Sequence, residues 1–188
     1  MAFSDNVWWT RKARIQAENR LLSNALQSQL LLLWYSFIGV VASVYYLKFE
    51  GKNTDLAGIT WVIYSILILC ISGFISALSL KERASHIKEC YERLSSIYHK
   101  SKMDSHDEDK LVAEYESILG VCENHTDADY YKALCVEYWT NADITKLDRK
   151  PRGFHWCMLA KSMIIRFVMF TALYSLPFIL NFTLRATQ

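Results

Sequence analysis

The chain has 188 residues, a formal charge of +2 and a hydrophobic fraction of 52%. That length suits one modest domain or a membrane hairpin with a small helical body, and the near-neutral charge gives no electrostatic footprint for nucleic acid. Gly and Pro are scarce, at six and two, which argues against a β-rich or disordered chain.

Residues 1–29 read as an amphipathic cytoplasmic helix. Trp8, Ile15 and Leu22 recur at seven with Leu26 four residues further on, a heptad-like stripe. Leu30–Leu47 then runs for eighteen residues without a charge, about 27 Å of helix against a hydrocarbon thickness of about 30 Å. The connection Lys48–Asp55 has eight residues with Gly51 in its middle, short enough to make its flanking helices antiparallel neighbours. Thr54 or Asp55 is placed to cap the second of them. Leu56–Leu80 is a second uncharged run, of twenty-five residues, so residues 30–80 form a transmembrane hairpin. Trp34, Tyr35, Tyr45, Tyr46 and Trp61 lie where interfacial belts form. Arg11, Lys12, Arg14 and Arg20 precede the first span, and Lys81, Arg83, Lys88 and Arg93 follow the second. Basic flanks at both ends place them in the cytoplasm.

Residues 81–150 form a cytoplasmic helical region. The helix leaving the second span is expected to continue unbroken, with Ile87, Tyr91, Leu94 and Tyr98 on one face. After a polar break at Ser101–Asp104, Ser105 and Glu108 make an S-x-x-E capping box that opens a new helix with Leu111, Tyr115, Ile118 and Cys122 as its stripe. Thr126 offers another N-cap, ahead of Ala128, Tyr131, Leu134, Cys135 and Tyr138. The basic turn Asp148–Gly153 leads back to the membrane. Residues 151–188 then form a third membrane-associated or transmembrane helix. Its apolar stretch Ile164–Leu184 holds Arg166, Pro177 and Asn181, which leaves a full crossing and a re-entrant or interfacial helix both open. The fold class is an all-α membrane protein: a two-helix hairpin, a cytoplasmic bundle and a possible third membrane helix.

Chemistry is sparse. Five widely spread cysteines, Cys70, Cys90, Cys122, Cys135 and Cys157, contain no C-x-x-C and read as reduced, mostly buried thiols rather than as disulfides or a zinc site. No phosphate-binding loop, dinucleotide fingerprint, nucleophile elbow or H-E-x-x-H is present. His106, Asp107, Glu108 and Asp109 point in different directions on a helix and read as an acidic first turn. Cys122 and His125 lack a second pair of ligands, and His155 beside Trp156 reads as an interface residue. Asn124-His125-Thr126 and Asn181-Phe182-Thr183 fit the glycosylation pattern, which is idle in a cytoplasm or inside a membrane. No catalytic residue, metal or cofactor is expected, and no enzyme activity.

The informative feature lies inside the spans. Gly58, Ser65, Ser72 and Ser79 recur every seven residues, with Ser76 between the last two; Ser36 and Ser43 are also seven apart, with Gly39 between them. Ser65, Ser72, Ser76 and Ser79 share an arc of about 60°. This face is unwanted toward lipid. It serves close helix packing, or several copies set it around a shared axis as a hydroxyl-lined path. In the cytoplasmic part, Ile15, Leu22, Ile87, Tyr91, Leu94 and Tyr98 are the candidate oligomerisation residues, plain packing within one chain being the alternative.

The order of these parts resembles the SLATT family: the helix TRKARIQAENRLLSNALQSQ, a first span containing Trp34-Tyr35-Ser36, a Ser-rich second span, and the helix KERASHIKECYERLSSIYHK with Arg83, Tyr91 and Leu94. SLATT proteins are two-transmembrane effectors of bacterial conflict systems. The resemblance implies a pore-forming or membrane-disrupting effector of antiphage defence in the bacterial inner membrane, multi-pass, with most of the chain cytoplasmic. Its expected partners are the lipid bilayer, further copies of itself and a sensor such as a nucleotidyltransferase or a reverse transcriptase. Triggering would depolarise the cell, an abortive infection. The alternative is a membrane anchor or scaffold that recruits a soluble partner without a pore of its own. A small membrane enzyme using His155 or the acidic cluster at residues 106–109 is a third reading.

Overall fold

A computed structural model describes residues 3–49, 54–103, 107–143, 145 and 147–186, and among them no strand occurs. Among the described residues six α-helices follow in order: α1 Phe3–Phe49, α2 Thr54–Ala77, α3 Leu80–Lys100, α4 Glu108–Val121, α5 Asp127–Thr140 and α6 Gly153–Ala186. The protein is an all-α membrane protein. Three helical stretches are long and apolar enough to cross a bilayer, within Phe3–Tyr45, Gly58–Lys100 and Gly153–Phe182.

The chain divides into two compact units, one of residues 1–24 and 80–164, the other of residues 25–79 and 165–188. α1 belongs to both. Its 47 residues contain no proline and a single glycine, Gly39, so nothing breaks the i→i−4 ladder and the amphipathic helix and the first span are one element.

In the first unit, the inward face of α1 is built on small residues. Ala13 and Ala17 are fully buried and Leu21 is 1% exposed, a spacing of four that lets neighbouring helices approach closely. Ala17 and Leu21 pack with Ala84 and Ile87 of α3, while Val7 joins Cys90, Leu94, Ile97, Leu111 and Ile118. Trp9 packs on Leu134 and Leu147, and its indole N–H donates to Asp148 at 2.7 Å. Arg149 reaches Asn6 at 2.6 Å and the Tyr130 hydroxyl at 2.9 Å, so the basic turn before α6 is tied to the start of α1.

The helix after the second span does not continue unbroken. α2 ends at Ala77, and Ser79 adopts φ 44°, a left-handed conformation that L-residues adopt at a cost of about 1–2 kcal/mol. The last turn tightens, with the Leu78 amide donating to Ile75 O and the Ser79 amide to Ser76 O, and α3 starts afresh at Leu80.

Thr126 does cap α5: its hydroxyl accepts from the Asp129 amide while Asp129 accepts from the Thr126 amide. Ser105 and His106 lie outside the described residues. α4 is capped by Asp107, which accepts from the Lys110 amide, and the paired Lys110 holds the Asp107 carboxyl below its ordinary range. Thr54 opens α2, and the residue ahead of it is outside the described set, as is Gly51. Cys90 and Cys122, read in the sequence as separate thiols, are brought together: α3 and α4 hold their Cα atoms 6.5 Å apart, a distance that a disulfide can span.

Candidate functional site

The second unit holds the hairpin. One side of it packs: Leu31, Tyr35, Ala42, Trp61 and Tyr64 form a buried cluster against which Leu173, Tyr174 and Leu180 of α6 lie. Pro177 explains how α6 docks there. It has no amide proton, so the carbonyl of Leu173, four residues earlier, loses its helical donor. In an apolar surrounding that orphan must be satisfied by a neighbour. The Tyr35 hydroxyl donates to Leu173 O at 2.8 Å, and the Trp34 indole N–H donates to Tyr174 O at 3.2 Å. Tyr64 in turn donates to the Tyr35 carbonyl at 3.2 Å. The Trp34-Tyr35 pair of the first span is thus the acceptor-seeking edge that a third helix with a proline-freed carbonyl fits.

Another face of the hairpin is left open. Ser36, Gly39, Val40, Ser43 and Val44 of α1 and Ser65, Ile68, Leu69 and Ser72 of α2 line a groove of about 520 Å³. Ser36, Ser43 and Ser65 are exposed and Ser72 is half-buried. Gly39 sets how closely the helices meet: a Cβ there would stand 3.3 Å from the Tyr64 ring. The hydroxyls are quieted within their own helices, Ser43 donating to Gly39 O at 2.7 Å and Ser65 to Trp61 O at 2.9 Å. Each oxygen still has lone pairs to offer. The result is a furrow of hydroxyl oxygens with aliphatic walls.

The structure therefore brings together Ser36, Gly39, Ser43, Ser65 and Ser72. Ser76 and Ser79 are exposed on the same chain segment beyond the groove, and Gly58 has open space around it. Of the oligomerisation candidates, Ile87 and Leu94 are fully buried in the chain's own core and Tyr91 and Tyr98 pack against it. Ile15 is half-buried and Leu22 is 43% exposed. The aliphatic groove walls and the Tyr35–Pro177 junction are not legible in the sequence. The junction has a signal, an aromatic donor pair in one apolar run and a proline in another, but nothing local links them.

Candidate chemistry elsewhere resolves into structure. His155 Nδ1 accepts from the Arg152 amide at 2.8 Å and so caps α6. His125 is half-buried, and burial, followed by the charge of Arg14, lowers its proton affinity. Arg83 and Glu123 clasp each other through two hydrogen bonds, one of 2.8 Å, which holds the Glu123 carboxyl below its ordinary range. Among the described residues no group of three His, Cys, Asp or Glu side chains is arranged to hold a metal ion.

No curated protein and no solved structure matches this chain. Residues 2–184 match the family described as SMODS and SLOG-associating 2TM effector domain family 5. The family name counts two spans where the chain carries a third helix of sufficient length and apolarity, and the match extends along nearly all of that helix. The chain belongs to this SLATT family of membrane effector domains.

Proposed function

We propose that this chain is a pore-forming effector of a bacterial antiphage system, assembled from several copies in the inner membrane and opened by a partner sensor. The observation that supports it most is the open hydroxyl-lined groove between the hairpin helices, on a face that α6 of the same chain does not cover. Left toward lipid, that face wastes four hydroxyls. Set around a shared axis, it packs when closed and takes water when open.

In this reading α1, α2 and α6 all cross, the first unit lies in the cytoplasm and the C-terminus emerges on the far side. Leu22 and Leu26, 43% and 55% exposed, meet neighbouring copies near the membrane. Ile87, Tyr91, Leu94 and Tyr98 act by shaping the body that presents them. The trigger comes from a sensor protein, such as a nucleotidyltransferase or a reverse transcriptase, acting on that body.

The test fills the groove. Ser72→Leu and Ser36→Leu place a branched aliphatic side chain among its hydroxyls and should abolish killing while leaving membrane insertion and protein level unchanged. Retained killing by both variants removes the groove from the mechanism. The anchoring alternative draws on the same serines, since Ser43 and Ser65 already bond their own backbone as packing residues do. It predicts that an unrelated hairpin in place of residues 25–79 preserves protection.

A further inference from the structure

We infer that the end of α5 and the start of α6 form a docking surface for anionic lipid headgroups, which holds α5 flat against the bilayer. Trp139, in the last turn of α5, is 78% exposed although it is among the largest apolar side chains in the protein. Its ring lies 6.2 Å from that of Trp156 in the first turn of α6, and Phe154 beside them is 58% exposed. Trp156 itself is half-buried, but a tryptophan exposed like Trp139 is costly in water, and at the headgroup level its indole N–H finds partners while the ring rests on acyl carbon.

The direction of α5 follows from its contacts. Tyr131 meets Phe154 at 5.9 Å and His155 at 5.0 Å, while Trp139 meets Trp156. Residues eight apart on α5 therefore touch three consecutive residues of α6. That happens when one helix crosses the other, not when the two run side by side. If α6 stands across the bilayer, a helix crossing its first turn lies along the surface, with Trp139 at its tip.

Charge names the occupant. Arg149, Lys150, Arg152 and Lys161 fall within thirteen residues, and no Asp or Glu occurs from residue 149 to residue 188; of the acidic residues at the end of α5 and in the loop after it, Glu137 pairs with Lys12, Asp148 accepts from Trp9 and Asp143 accepts from Thr145. Lys150, Arg152 and Lys161 are exposed. Exposed cations close in sequence to the Trp156 end of the aromatic pair, where the chain enters α6, match phosphatidylglycerol-type headgroups. They do not match a second copy, whose same surface is equally cationic. Docking here is independent of whether the hairpin groove conducts.

The test replaces Trp139 by the photocrosslinker p-benzoylphenylalanine in the full chain, reconstituted in vesicles of phosphatidylcholine with or without phosphatidylglycerol. Mass spectrometry then identifies what is captured. The expected result is phospholipid adducts, enriched in the phosphatidylglycerol vesicles and falling about fivefold for each of Lys150, Arg152 and Lys161 changed to Gln. The same probe at Val121, 82% exposed on α4, should capture far less lipid. Equal lipid capture at both positions, capture of another protein chain alone, or no dependence on the three cations would overturn the inference.

Discussion

Asp129 sits at the most demanding point in the first unit. It is 3% exposed, caps α5 with Thr126, and takes Arg20 in a pair of hydrogen bonds at 3.0 and 3.1 Å. One carboxylate thus serves a helix end and a long-range clasp between α1 and α5. Removing it should cost the cap and the charge-assisted bonds together, about 2–3 kcal/mol. Asp129→Ala should show this as a lowered thermal midpoint in detergent, and a midpoint equal to that of the unaltered chain would contradict the role. His125 gives a pH dependence at the same junction. Burial first, then Arg14, lowers its pKa below 6.5, with Asp129 and Asp127 opposing. Above pH 6.5 the ring is neutral folded and unfolded, and contributes nothing. As pH falls below 6.5 the unfolded chain takes the proton first, so folding loses stability. His125→Gln should flatten the fall in thermal midpoint on acidification from 6.5; an unchanged slope would place its origin elsewhere.

At the scale of elements, the junction between α1 and α6 depends on a defect. Pro177 frees a carbonyl and Tyr35 fills it, so the two residues should be coupled. Tyr35→Phe should cost about 1 kcal/mol. On a Pro177→Ala background it should cost close to nothing, because the restored amide reclaims the Leu173 carbonyl. An equal cost on both backgrounds, measured by denaturant unfolding in bicelles, would show that the hydroxyl has no special tie to the proline. The spans are legible in the sequence because a long helix without a charge is rare outside a bilayer; of the seven-residue serine period, Ser65 and Ser72 fall within α2 and line the groove, while Ser79 lies past the end of that helix. The Thr126 cap is legible because its partner is three residues away. What cannot be read joins distant parts. Tyr35 and Leu173 are 138 residues apart, and Cys90 and Cys122 are 32 apart on different helices. The break at Ser79 has no glycine or proline to announce it. The inward face of α1 is hidden because alanines, not the larger Leu22 and Leu26, are what close packing selects.

For the whole molecule, the chain passes between its two units three times, after residues 24, 79 and 164. At two of these passages an unbroken helix runs through, α1 and α6; at the third, Ser79 interrupts the path from α2 to α3. In the function proposed above, the chain leaves the first unit along α1 and α6 without a break in the helix, and past Ser79 with one. The helix ahead of that break, α2, contributes Ser65 and Ser72 to the groove, so a movement at the break would reorient half of its lining. In the proposed mechanism this rearrangement lets ions through. Recording membrane potential with a voltage-sensitive dye in bacteria expressing this chain with its partner system, before and after phage challenge, tests that step. Rapid depolarisation that is lost in Ser72→Leu is the predicted result. A steady potential in cells that the system still protects would contradict it.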